Sequence, residues 1–169
     1  MTKTTKITHG KVTWIDITSP TEKEAAKLKR DYGFHDLDLE DCLSESQRSK
    51  IDDYEDYLFI VLHFPYYDKR RKRIITEEID IFIGQNYLIT LHDSKLKTMK
   101  HLLEQCQRKK ATKEEFMGQG TGYFLYIIIS ELFDAGFPLV DDMERNLTQI
   151  ERDLFEGATR RDMVQDIVW

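Results

Sequence analysis

Cysteine is nearly missing from this 169-residue chain: Cys42 and Cys106 are the only two. That number and separation exclude a disulfide framework and a Cys-based zinc spacing, and two free thiols fit a reducing compartment. Positive charge is also short. Lys and Arg number 25 against 31 Asp and Glu, for a net charge of −6, which excludes a nucleic-acid partner because phosphate binding needs a basic surface. The one basic run, Lys69–Arg73, sits between two strand-like segments and reads as a solvated turn. Long apolar runs are absent as well. The longest, "GYFLYIII" (122–129), falls far short of the ~20 residues that span a bilayer, and Glu131 follows closely. The opening "MTKTTKITHG" has no apolar core, so it is no secretion signal, and the chain as given reads as soluble.

Catalytic signatures are missing too. The five histidines (His9, His35, His63, His92, His101) show no HExxH and no i,i+4 pair, and no GxSxG is present. His63 and His92, near strand ends, read as hydrogen-bonded structural residues. The glycines of "GQGTG" (118–122) precede a helix but follow no strand, which argues against a nucleotide loop. Glu77 and Glu78 stand together on a half-exposed strand and read as solvated carboxylates rather than a general acid/base pair.

What the chain does contain is a clear order of elements. "KVTWIDIT" (11–18) is a strand with Val12, Trp14 and Asp16 on one face. "SPTE" (19–22) forms a capping box with Ser19 as N-cap and Glu22 at N3, opening a helix that ends at Gly33. "YLFIVLHF" (57–64) reads as a buried central strand that Pro65 terminates. Residues 74–84 and 87–92 form a hairpin, followed by a helix over 94–109 and a loop or short helix over 111–122. From Gly122 to Glu156, Leu125, Ile129, Leu132, Gly136, Leu139, Met143, Leu147, Ile150 and Leu154 step by threes and fours in a heptad-like seam. Pro138 is expected to kink this arm, Gly157 to end it, and a second helix to begin near Thr159.

The densest chemistry lies in "FHDLDLEDCL" (34–43), with Asp36, Asp38, Glu40 and Asp41 behind His35. As an EF-hand loop it fails: counted from Asp36, the sixth position is Asp41 rather than Gly and the twelfth is Gln47 rather than Glu. Asp36 as a helix cap, with further acids favoured by the dipole of the first turn, accounts for the pattern. Arg48 and Lys50 follow as counter-charges.

In order along the chain come "WIDI" with its following Pro20, "FHDLDLEDCL", "QRSKI", "YEDYLFIVL" and "EEIDIFIGQNYLITLH". Together they resemble the amino-terminal cytoplasmic domain of the CorA family of divalent-metal transporters. The family's usual His-Pro-Leu and Arg-Pro-Lys have Asp36 and Ser49 here in place of proline. The resemblance implies an α/β/α sandwich around a mixed β-sheet, followed by a long helical arm. It divides the chain into a flexible N-terminus (1–10), the sandwich (11–120), and a long helix with the start of a second one (121–169). It implies a homo-oligomer, a funnel-shaped pentamer at the cytoplasmic face of the cell membrane, reaching the membrane only through a segment beyond Trp169. In that reading "HDLDLED" is architectural and the chain is no enzyme. It is the metal-sensing part of a magnesium transporter, binding divalent cations between subunits to control opening. Glu55 and Asp56 match the family's adjacent acids before the strand, and Glu144 its acid at the start of the long helix, as metal ligands. An oxygen-only set favours Mg2+, with Co2+ or Zn2+ as alternatives, since zinc usually recruits His or Cys. A zinc or cobalt transporter of the same superfamily and a scaffold that assembles without sensing metal are the competing readings.

Overall fold

The computed structural model describes residues 2–44, 48–68 and 70–155. Six strands build one sheet: β1 (Lys3–His9), β2 (Val12–Thr18), β3 (Lys50–Asp53), β4 (Tyr57–Asp68), β5 (Arg73–Gly84) and β6 (Tyr87–His92). Their spatial order is β1-β2-β6-β5-β4-β3. Only β2 and β6 run parallel, so the sheet is mixed. One face is covered by α1 (Glu22–Tyr32) and α2 (Asp36–Asp41). The other is covered by α3 (Lys97–Arg108), α4 (Lys110–Met117) and the start of α5 (Thr121–Phe155). This is the expected α/β/α sandwich.

Strand alternation assigns each side chain to one of two cores. On the α3–α5 side, Trp14 meets Phe124 edge-on at 5.0 Å between ring centroids, amid Met99 and Leu102. On the α1–α2 side, Phe34 stacks on Phe82 at 4.0 Å and on Tyr32 at 5.3 Å, beside Leu28 and Leu39. These aromatic contacts clamp the loop before α2 onto β5, and so position the acid-rich stretch.

Several local expectations change. Within the stretch expected to be a flexible N-terminus, Lys3–His9 form a strand: β1 pairs with β2 from Lys3↔Thr18 to His9↔Val12. Only Ile7 of the seven is buried, so hydrophobic pattern gives no signal and the backbone ladder carries the strand. Its lysines suit an exposed sheet edge. Helix α1 is capped two residues later than expected, by Thr21, whose N–H donates to Glu24 Oε2 at 3.2 Å. Ser19 instead takes a left-handed φ of 51° and donates its N–H to the His92 carbonyl at 2.8 Å. Gly33 does end the helix, with φ 73° and its N–H on the Lys29 carbonyl.

Strand β4 is not central; β6 and β5 are. Nor does Pro65 terminate it. The β3 ladder stops at Lys50↔Val61, so beyond Val61 the strand is an edge, where a residue without an N–H is tolerated. The long helix runs through Pro138 for 35 residues, about 52 Å. By length and composition alone it suits a membrane span, but Phe124, Ile128 and Leu132 on its first turns are buried in the sandwich core. Of the expected seam, Leu132 and Gly136 are buried and Leu125, Ile129 and Leu139 half-buried, while Phe124 and Ile128 beside it also enter the core. Farther along, Phe133, Phe137, Val140, Met143 and Leu147 form an apolar stripe, each more than half exposed. The second helix expected near Thr159 lies outside the described residues.

Candidate functional site

The acid-rich stretch is wired into the fold at almost every carboxylate. His35 caps α2, its Nδ1 accepting the Leu37 N–H at 3.3 Å. Asp36, expected as the cap, faces outward and pairs with Lys29. Asp38 is 1% exposed and accepts two phenolic hydrogen bonds, from Tyr57 at 2.8 Å and Tyr54 at 3.0 Å. Asp41 pairs with Lys50 at 2.7 Å, and Lys50 also reaches Asp52 at 2.6 Å. Both carboxylates hold that ammonium well above the ordinary lysine range, Asp41 the more strongly. Glu40 is exposed. Counter-charges and hydroxyls, rather than a convergent cage, account for this cluster.

Glu55 and Asp56 stand exposed in the tight turn between β3 and β4, which the Tyr54 N–H closes on the Tyr57 carbonyl at 2.9 Å. Glu144 is exposed on the outer half of α5, one position before Arg145, which pairs with Asp142. The fold leaves these residues on the surface. Among the described residues, no three of His, Cys, Asp and Glu converge to hold a metal within one chain.

The structure does gather a polar cluster that sequence reasoning missed. In the α3–α5 core the Trp14 indole donates to Thr90 Oγ1 at 3.1 Å, and Thr90 donates to Asp16 at 2.7 Å. His92 Nε2 meets the same Asp16 oxygen at 3.1 Å, while its Nδ1 meets the Asp93 carbonyl at 2.7 Å. Both ring nitrogens face acceptors, which only imidazolium satisfies fully. Accordingly His92 titrates above its ordinary value: burial opposes the charge, and Asp16, the Asp93 carbonyl and Glu77 outweigh it.

Glu77 is not a solvated carboxylate. It is 4% exposed, and burial pushes it up to about 7, against the lowering influence of the Lys95 N–H, which donates to its Oε1 at 3.1 Å. Asp80 is equally buried and also pushed up to about 7, by burial first and by the negative charge of Glu78 next. The signal was in the alternation: Glu77 shares a face with Ile79, Ile81 and Ile83, and Asp80 with Phe82. His63 bridges Ser49 Oγ at 3.0 Å and Glu78 at 3.2 Å, the hydrogen-bonded structural role expected of it. His63, Glu77, Glu78, Asp80 and His92 all line one cavity of about 430 Å3.

Comparison with known proteins places this fold. Residues 9–168 match the family model described as CorA-like Mg2+ transporter protein. The putative metal ion transporter YfjQ of Bacillus subtilis is 33% identical over 138 residues, covering 82% of this chain and 41% of the relative. The cobalt/magnesium transport protein CorA of Methanocaldococcus jannaschii is 28% identical, covering 89% of this chain and 46% of the relative. The chain thus spans less than half the length of these curated relatives. The solved soluble domain of the Methanocaldococcus jannaschii CorA superposes with a TM-score of 0.74 at 27% identity, over 94% of this chain and 61% of that one.

Proposed function

The chain belongs to the CorA-like Mg2+ transporter family, and from that membership we propose that it is the cytosolic, metal-sensing part of a magnesium transporter. The family is one of ion transporters rather than enzymes. The complete protein is a homo-oligomer, a pentamer, anchored at the cell membrane by a segment outside this sequence, with this domain on the cytoplasmic side. Divalent cations held between neighbouring subunits keep the channel closed when cytosolic magnesium is plentiful. Mg2+ is the cation expected, with Co2+ next, in keeping with the cobalt/magnesium name of the archaeal relative.

The observation that carries this reading is the apolar stripe of α5. Phe133, Phe137, Val140 and Leu147 are each 57–60% exposed on a helix whose first turns are in the core and whose residues 140–149 are all exposed. Such a contiguous stripe requires a second apolar surface, and burying it there is worth ~25 cal/mol per Å2. A neighbouring subunit supplies one, and brings foreign acids near those this chain leaves on its surface. Glu55 and Asp56, which make no ion pair among the described residues, and Glu144 are the ligands we assign. Carboxylates facing one another across an interface repel until a hard divalent ion bridges them, so bound metal favours the closed arrangement.

Uptake against cytosolic magnesium in the complete transporter tests the assignment. Asp56→Ala is expected to leave transport intact and weaken closure by magnesium. Unchanged inhibition in that variant means the turn acids are only solvated.

A further inference from the structure

One face of β1 is left uncovered. In its ladder with β2, Thr4 pairs with Ile17 and Lys6 with Ile15, and directly paired residues share a face of the sheet. Ile17 belongs to the α1–α2 core, so Thr4, Lys6 and Thr8 stand on the side of α1, and all three are exposed. Helix α1 thus covers β2 and leaves a groove beside β1, a cavity of about 580 Å3. The floor is apolar. Ile17 and Leu28 are core residues, and Ile15 and Tyr32 remain half-buried. The rim is cationic. Lys23, Lys27 and Arg30 follow one another at i, i+4 and i+7 along one side of α1, and they line the groove together with Lys6 of β1. Like charges at these spacings destabilise a helix. The two acids that line the groove are already engaged. Glu24 accepts the Thr21 N–H at 3.2 Å, and Asp31 pairs with Arg30 at 2.9 Å. Elsewhere Lys29, Lys50 and Lys95 each find a carboxylate. Lys6, Lys23 and Lys27 have no ion pair among the described residues, in a chain whose acids outnumber its bases.

We propose that this groove binds a free anionic amphiphile, with a carboxylate or sulfate head among Lys6, Lys23 and Lys27 and an apolar body along Ile15 and Tyr32. The head relieves the repulsion between the lysines, and the body removes the half-buried floor from water. Each part excludes a simpler occupant. An inorganic anion leaves the floor wet, and a neutral apolar molecule leaves the ammoniums unanswered. A divalent cation is repelled by the rim, so this site is separate from the metal ligands assigned above and stands or falls without them. The volume, about 580 Å3, is that of an ordinary small-molecule site.

Octanoate, well below its micellar concentration, is the probe, titrated into the 169-residue chain and followed by amide NMR. Saturable shifts are expected at Lys6, Ile15 and the residues of α1, and not along Val140–Leu147 of the exposed stripe. Octanol, the neutral comparator, is expected to bind about tenfold more weakly or worse, and added salt to weaken octanoate binding. The triple variant Lys6→Gln/Lys23→Gln/Lys27→Gln is expected to lose about tenfold or more in affinity. Lys97→Gln/Lys100→Gln/Lys110→Gln, which removes the same charge from exposed positions of α3 and α4, is expected to bind as the parent does. No saturable octanoate binding by the parent overturns the proposal, as do equal affinity for octanol, shifts centred on the α5 stripe, or equal losses in the two triple variants. Binding to phosphatidylglycerol vesicles without saturable octanoate binding assigns the lysines to a membrane surface and overturns it as well. The comparison of octanoate with octanol needs no substitution, so it decides the matter even where a variant fails to fold.

Discussion

Asp38→Ala is expected to be the most damaging single change among the acids of the 34–43 stretch. The Asp38 carboxylate is 1% exposed and receives the hydroxyls of Tyr54 and Tyr57. Hydrogen bonds to a charged group are worth about 1.5–3 kcal/mol each, so two bring roughly 3–6 kcal/mol gross. Two corrections reduce this. Both tyrosines are only half-buried and recover water, and the variant no longer carries a desolvated charge. The net loss is then about 3 kcal/mol, or roughly 6–12 °C in melting temperature for a chain of this size. Asp36→Ala, two residues away, removes a pair with Lys29 in which both side chains are more than half exposed, so it costs at most ~1 kcal/mol. Urea unfolding of both variants, with a double-mutant cycle between Asp38→Ala and Tyr57→Phe, measures these quantities. A coupling of about 1–2 kcal/mol is expected from the shared bond. Asp38→Asn, which keeps one acceptor oxygen, should lose roughly half as much. Equal costs for Asp36→Ala and Asp38→Ala, or zero coupling with Tyr57, would refute the reasoning that burial and the tyrosines set the role of this acid.

Two further predictions follow from the same geometry. Glu77 and Asp80 titrate at about 7 in the folded chain against ordinary values of 4.5 and 3.8, so the folded state binds more protons than the unfolded one between roughly pH 4 and 7. Stability therefore falls as pH rises through that window and levels off above it. His92, raised by Asp16, adds a loss of the same sign above pH 6.5. The groups that set the window are His92, Lys95 and Asp93 around Glu77, and Glu78, Cys42, Asp41 and Lys50 around Asp80. Glu77→Gln/Asp80→Asn should flatten most of the slope in denaturant titrations at successive pH values; an unchanged slope would mean other groups carry it. On α5, Leu132→Ala empties a fully packed site and should cost about 2–5 kcal/mol by calorimetry. Leu147→Asp, on the exposed stripe, should leave the melting of the single chain within ~0.5 kcal/mol while lowering the assembled mass in light scattering. Equal destabilisation by the two would place Leu147 in the chain's own core.

Much of this molecule is legible from its residues in order. Alternation in "KVTWIDIT" and across 74–92, the glycine at 33 and the long heptad-like run gave strands, hairpin, helix end and arm, because period and backbone preference are local properties. The ordered motifs also carried the family, which the match over residues 9–168 shows. Tertiary structure alone decided which elements become neighbours. It put β6 and β5 at the centre rather than β4, and recruited the first residues as an edge strand through backbone pairing that leaves no hydrophobic trace. It centred the buried face of α5 on Phe124, Ile128 and Leu132, so that Leu125 and Ile129 of the expected seam lie only at its margin. Asp38 is satisfied by hydroxyls 16 and 19 residues away, a pairing no local spacing announces. Glu77 and Asp80 show the limit most clearly. Their faces follow from period two, but their burial with orphan oxygens follows from what packs beside each, Leu91 of β6 next to Asp80 and the Lys95 backbone against Glu77. A chain's own pattern fixes the direction of a side chain, whereas its solvation depends on the surface that a distant segment brings against it.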